Sequence, residues 1–391
     1  MPALAATLSA ALEAIRNADL YRTRRVVEAF CAPGSGPQVM VGGERRVNFC
    51  GNDYLGVSQH PAVRAAFIEA AGRLGVGSGA SHLITGHSSE HHALEEELAQ
   101  FLGRPRALLF STGYMANLAA VAALAGRADL VVEDRLNHAS LLDAARVSGA
   151  RLKRYTHGSA QALDGVLHAE STARTLVVTD GIFSMDGDVA PLAALAAVAR
   201  ARGAWFIVDD AHGLGATGAS GRGSLEACGV AADDVPVLVG TLGKAFGTFG
   251  AFIAGSDDLI EYLIQRARTY IYTTALPAAV AAASRAALRV VSQEYWRRDR
   301  LHTLINRFRN GAQQLSVPLL ESRSPIQGVV LGEPGHALKV STRLYEQGLW
   351  VAAIRPPTVP RGTSRLRITL SAAHTESEVD QLLDALAGVL G

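Results

Sequence analysis

The segment Val237–Gly250 reads VLVGTLGKAFGTFG: an apolar run, then Lys244 inside a glycine-rich turn, with Thr241 three residues before it. A lysine among small, apolar neighbours is a candidate for imine chemistry, because such a setting lowers its pKa and turns the amine into a nucleophile. Gly243, Ala245 and Gly247 leave room for a flat ring, and the Thr241 hydroxyl can donate to a phosphate. A nucleotide P-loop requires Ser or Thr directly after its lysine, and Ala245 stands there instead. An isolated loop lysine is usually just solvated, so the reading depends on companions.

The companions lie in three further segments. WFIVDDAHG is a hydrophobic strand ending in Asp209, followed by Asp210 and His212. A carboxylate at such an end is expensive to bury unless it meets a cation. The protonated ring nitrogen of pyridoxal phosphate is one, and the pairing keeps that ring an electron sink. His212 would then hydrogen-bond the ring's phenolic oxygen; alternatively both acids are exposed and His212 is a turn residue. FSTGYMANLAAVAAL runs from a strand through Ser111, Thr112 and Gly113 into a helix, whose first amides can seat a phosphate. Gly113 and Tyr114 are the expected donors, although a plain strand-to-helix turn looks similar. His138, in VVEDRLNHAS, follows another strand end and could lie flat over the ring.

Two patterns compete with this reading. Gly213 to Gly218 matches the G-x-G-x-x-G fingerprint after a strand, which would make the chain a nicotinamide oxidoreductase. That fingerprint needs a helix starting inside the glycines, and Ala219-Ser-Gly-Arg-Gly223 is loop chemistry. His87, His91 and His92 form H-x-x-x-H-H, a spacing that can hold zinc. No third ligand stands at a recognisable spacing and a solvated helix start explains the histidines, so no metal is expected.

The elements that must position these residues follow from periodicity. Strands are expected at Ala107–Phe110, Leu130–Glu133, Thr175–Thr179, Trp205–Asp209, Val235–Val239 and Ala251–Ala254, with helical runs between them. Leu94, Leu98, Phe101 and Leu102 share one face, a second helix runs from about Tyr114 to Leu124, and Pro191 opens a third. The alternation implies an α/β fold around a mostly parallel sheet, with ligands beyond the carboxyl ends of the strands. An N-terminal helical segment is expected over 1–45, a large cofactor-binding domain over 46–285 and a smaller C-terminal α/β domain over 286–391, where basic amphipathic helices precede the strand RLRITL.

Bulk properties narrow the class. The 391 residues favour two domains, and 37 Lys+Arg against 36 Asp+Glu leave no field for nucleic acid or acidic membrane. Cys31, Cys50 and Cys228 are too few and too scattered for a disulfide framework, which suits a reducing cytoplasm. The N-terminus lacks a basic start and is expected to form an amphipathic helix rather than an exported leader. The apolar stretch from Thr269 to Ser284 is short for a membrane span and contains Pro277.

Six segments together resemble the α-oxoamine synthases, fold-type I pyridoxal-phosphate enzymes, in the family's order. They are NDYLG (Asn52–Gly56), GSGASHLITGH (Gly77–His87), RLNHASLLDAA (Arg135–Ala145), FSMDGD (Phe183–Asp188), VDDAHG (Val208–Gly213) and TLGKAFG (Thr241–Gly247). The resemblance implies that Lys244 carries the cofactor as a Schiff base, that His138 stacks on the ring, that Asp209 pairs with its nitrogen, and that Ser184 and His212 meet its phenolate side. Gly113, Tyr114 and Thr241 would hold cofactor, while Arg22, Asn52 and Thr358 would face substrate and Arg367 would clamp the amino-acid carboxylate. Relatives using glycine or serine usually carry arginine after the GSG turn, whereas here His82 follows Ser81. With the ending AIRPPTVPRGTSRLRITL, this favours the branch that condenses L-alanine with a pimeloyl thioester in biotin synthesis; another branch using glycine or serine is the alternative. The resemblance also implies a homodimer, with Thr273 or Thr274 reaching the partner's cofactor, and an acyl donor carried on coenzyme A or on an acyl carrier protein.

Overall fold

The computed structural model describes residues 2–30, 37–170 and 174–390, so Cys31 and part of the expected N-terminal segment lie outside the described residues. The chain divides into two compact units, one of 52–184 and 188–299, the other of 1–51, 185–187 and 300–391.

The larger unit is built on a seven-stranded sheet. In chain order its strands are β1 (Arg106–Phe110), β2 (Leu130–Asp134), β3 (Arg151–Tyr155), β4 (Thr175–Asp180), β5 (Trp205–Asp209), β6 (Val237–Thr241) and β7 (Ala251–Gly255). Their spatial order is β1-β7-β6-β5-β4-β2-β3. β7 is antiparallel to both neighbours and every other pairing is parallel. β1 therefore runs with β2, β4, β5 and β6, and their carboxyl ends, Phe110, Asp134, Asp180, Asp209 and Thr241, share one edge of the sheet.

The mostly parallel architecture is the expected one, and six of the strands were legible as apolar runs. β6 begins at Val237 rather than Val235 because Pro236 has no amide to give a ladder. β3, RLKRY, was not anticipated: it is a sheet edge, pairs only with β2 and carries the charge that guards edges rather than an apolar run. The central strands are buried on both faces, with Val131, Val177, Ile207 and Val239 at most 1% exposed. Each such side chain contributes about 1.5–3 kcal/mol of transfer free energy.

Three helices frame the site. They are α1 (Ser89–Leu102), α2 (Gly113–Leu124) and α3 (Ala139–Ser148). The helix Ala278–Gln293 packs against α1 and against the helix Pro61–Leu74, where Ala70, Ala279 and Ala282 allow close approach. That packing keeps residues beyond 285 in the larger unit, and the change of unit falls at Asp299 and Arg300.

In the other unit, the strand Ser364–Thr369, which contains most of RLRITL, lies between Ile326–Gly332 and Ala352–Ile354 in a three-stranded antiparallel sheet. A four-stranded sheet joins Ala29–Phe30, Gln38–Val41 and Glu44–Asn48 to Leu349–Trp350. The N-terminal helix Pro2–Asn17 leaves Leu4, Leu8, Leu12 and Ile15 exposed at helical spacing. Among the described residues no helix is long and apolar enough to cross a membrane.

Candidate active site

The shared carboxyl edge gathers the chemistry. Asp209 closes β5 and is buried; Asn117 Nδ2 donates to its Oδ2 at 2.6 Å and the Ala211 amide to its Oδ1 at 3.0 Å. Asn117, the one amide side chain in an otherwise apolar stretch of α2, also donates to Ser140 Oγ at 2.8 Å. One side chain thus ties α2 and α3 to the carboxylate.

His138 caps α3 and is solvent-accessible. Its Nδ1 accepts from the Ser140 amide at 3.3 Å and lies 2.7 Å from Ser140 Oγ, while its own amide donates to Asp180 Oδ2 at 2.7 Å. A backbone amide only donates, so Nδ1 is the acceptor and a neutral ring carries its proton on Nε2. Desolvation lowers the ring's pKa, opposed by Asp209 and reinforced by Lys244, so His138 lies within electrostatic reach of both. Burial first, and then Asp209, push Asp180 well above the carboxylate range. Asp210 is raised to about 7, chiefly by burial, despite bonds from the Ser224 amide and hydroxyl at 2.6 Å each.

Lys244 is half-buried in the turn after β6. Thr241 Oγ1 donates to the Gly250 carbonyl at 3.0 Å and accepts weakly from the Gly243 amide at 3.3 Å, which closes that turn. Gly247 packs directly against the NDYLG turn: a Cβ there would lie 2.3 Å from the Ser58 amide nitrogen. Within NDYLG, Asp53 accepts from the Val57 and Ser58 amides, and Tyr54 OH sits 2.7 Å from His212 Nδ1 and 3.2 Å from Asn52 Oδ1. Asn52 is thereby linked to His212.

Across the sheet edge, Thr112 caps α2 by accepting from the Met115 amide, so Gly113 and Tyr114 supply its first two amides. Among the described residues, nothing beyond its own chain neighbours and helix backbone lies within 4 Å of a Cβ built on Gly113, so that helix start has room for an anion. The Tyr114 hydroxyl is turned to Asp143. Ser184 is half-buried shortly after β4. The structure therefore brings together Gly113, Tyr114, His138, Asp209, His212, Thr241, Lys244 and Asn52, with Ser184 on the same strand edge.

The remaining expected residues belong to the other unit. Arg22 lies within electrostatic range of Arg355, whose guanidinium donates to the Tyr21 carbonyl and whose own carbonyl accepts from the Thr358 amide. Arg367 is buried in the strand Ser364–Thr369 between Gly328 and Ala352. Sequence reading missed Asn117, Ser140, Tyr54, Asp180 and Arg355. Asp180 carried the signal already used for Asp209, an acid ending an apolar strand; Asn117 was a polar residue in an apolar helix.

The dinucleotide pattern does not build its own site. No helix starts within the glycine-rich run, and the next begins only at Ser224. The glycines serve packing instead: a Cβ on Gly213 would lie 2.2 Å from Asp210 Oδ1, and one on Gly215, at φ +81°, would lie 2.8 Å from Ala245 Cβ. Among the histidines, the fold adds Glu95 as a third group, and ligand atoms of His87, His92 and Glu95 lie within 4.8 Å of one another. Zinc bonds near 2.1 Å set neighbouring ligands about 3.4 Å apart. His87 Nε2 and Glu95 Oε2 are 4.0 Å apart, wider than that spacing, and the other ring nitrogen of His87 lies 3.0 Å from His82 Nδ1, so the expectation of no third ligand at this cluster is corrected by Glu95.

A lysine, a buried carboxylate beside it and an open helix start on one strand edge fit pyridoxal phosphate as a donor set. Fold and site define the class, a fold-type I transferase dependent on that cofactor. The family model for aminotransferase class I and II matches residues 44–386, and the chain belongs to that family. More particularly, it is 62% identical over 380 residues to the 8-amino-7-oxononanoate synthase of Methylococcus capsulatus, covering 97% of each chain. It is 57% identical over 389 residues to the 8-amino-7-oxononanoate synthase of Saccharophagus degradans, covering 99% of this chain and 97% of that one. Similar solved structures include a serine palmitoyltransferase from S. paucimobilis with bound PLP–myriocin aldimine, at TM-score 0.92 and 31% identity over 98% of this chain and 96% of that one. The 8-amino-7-oxononanoate synthase of Francisella tularensis superposes with TM-score 0.78 and 31% identity over 88% and 98%.

Proposed function

We propose that the chain condenses L-alanine with a pimeloyl thioester, releasing carbon dioxide and thiol and giving 8-amino-7-oxononanoate for biotin synthesis. The carrying observation is the single strand edge that holds Lys244, Asp209 and His138 in a chain with 57–62% identity to synthases of that name. Pyridoxal phosphate, when bound, supplies the electron sink that makes the amino acid's Cα–H acidic.

The chain's residues do the rest. The Lys244 amine would hold the cofactor and would take the amino acid's Cα proton as general base. Asp209, oriented by Asn117 and the Ala211 amide, is the anion facing the ring nitrogen. The Gly113 and Tyr114 amides and Thr241 would receive the phosphate, and Ser184 and His212 would serve the phenolate side. His138 would lie against the ring and hold its Nε2 proton toward the acyl oxygen. Arg367 pairs with the alanine carboxylate in a bidentate contact, with Arg22, Asn52 and Thr358 lining the substrate. The chain acts in the cytoplasm as a homodimer, with the acyl group delivered on coenzyme A or on an acyl carrier protein.

The reading is tested by offering alanine, glycine and serine separately with pimeloyl, acetyl and succinyl thioesters and measuring thiol release. Alanine with pimeloyl is the expected productive pair, and turnover with glycine alone would overturn the assignment of substrate. Lys244→Ala is expected to abolish both the visible absorption of the holoenzyme and turnover; a retained visible band would remove Lys244 from its role.

A further inference from the structure

We propose that His157 is a positioning residue for this site, fixing the turn that presents His138 relative to the segment that presents Ser184. The inference rests on the reading of those two residues above. His157 follows β3, the edge strand, and sits between two carboxylates. Its Nδ1 lies 2.9 Å from Asp134 Oδ1 and its Nε2 lies 2.9 Å from Asp188 Oδ2.

Each carboxylate governs a different segment. Asp134, fully buried at the end of β2, also accepts from the Leu136 amide at 2.8 Å and from the Gly158 amide at 2.8 Å, so it shapes the turn leading to His138. Asp188 returns its carbonyl to the Phe183 amide at 3.0 Å, and Ile182 bridges Val189, so it anchors the residues leading to Ser184. The edge-on Phe183 ring, 4.4 Å from the imidazole between centroids, fixes the ring's plane.

A ring with an acid at each nitrogen donates from both, and is therefore a cation. The two carboxylates hold it protonated, with a pKa raised to about 10. A neutral ring carries one proton and can serve one acid only. Loss of the charge would leave Asp134 buried without its cation and free one segment from the other.

The test compares wild-type holoenzyme with His157→Gln and with Asp188→Asn, the latter a milder change because Asp188 is partly exposed. Visible circular dichroism of the bound cofactor, kcat and KM for alanine, and the melting temperature are measured on each. The expected result is a folded, coloured enzyme with an altered visible dichroic band and kcat reduced about ten- to a hundredfold, the scale of misplaced reacting groups, while KM for alanine changes less. Asp188→Asn is expected to move the same band in the same direction. Lower melting temperature with unchanged dichroism and unchanged kcat per bound cofactor would make His157 a purely structural residue and overturn the proposal. A colourless wild type would overturn the cofactor reading beneath it, an outcome visible before any variant is made.

Discussion

Asp209 and Asp210 are adjacent, yet strand geometry sends them to different surroundings. Asp209 meets Asn117 at the sheet's edge, close to His138 and Lys244, whereas Asp210 turns inward to Ser224 and the glycines around it. Burial raises the Asp210 carboxyl from 3.8 to about 7, with Asp209 adding to the rise and Lys244 opposing it. A raised acid favours the folded state in its protonated form. Its contribution is full below about 3.8 and is lost as pH climbs through about 7. Asp210→Asn is accordingly expected to flatten the pH dependence of stability, so that the variant gains on the wild type between about pH 4 and about pH 7 in denaturant titrations. A gap that stays constant over that window would contradict the assignment. The motif VDDAHG made both acids visible; only the direction of each side chain distinguished the acid that meets Asn117 at the sheet's edge from the one packed against Ser224.

At the scale of elements, the start of α2 has a structural task and, in the proposed function, a binding one. Thr112 satisfies the Met115 amide and so leaves Gly113 and Tyr114 as the outermost donors. Thr112→Ala is expected to cost about 1 kcal/mol of stability, as N-cap losses do, measurable by chemical denaturation of the apoprotein. The same variant is expected to bind pyridoxal phosphate more weakly, read from the cofactor concentration that restores visible absorption; unchanged affinity would separate the cap from the phosphate seat. FSTGYMAN announced this element because strand, cap and helix are local events. The edge strand Arg151–Tyr155 did not announce itself, since its stability comes from pairing with Leu130–Asp134 rather than from its own composition.

The whole molecule leaves apolar surface that a lone chain would not be expected to expose. Leu4, Leu8, Leu12 and Ile15 form one stripe of the N-terminal helix, and Tyr272 is 71% exposed beside an open groove lined by Leu118, Val147 and Arg268. Contiguous exposed patches of this kind mark interaction sites. Sedimentation equilibrium is expected to report a dimer at micromolar concentration, and Thr274→Ala to weaken cofactor retention without changing that mass. A monomer retaining full activity would remove the partner from the site.

The sequence by itself determined the six apolar strands of the large sheet, the helix starts and the candidate residues for the chemistry, because apolar periodicity, caps and the lysine turn are written locally. Tertiary structure alone decided which strand ends share an edge. It also made Asn117 the hinge between α2, α3 and Asp209, and committed the glycines after His212 to packing rather than to a dinucleotide. Those outcomes depend on strand order and on contacts between residues distant in the chain, such as Asn117 with Asp209, 92 positions apart, and no local pattern encodes them.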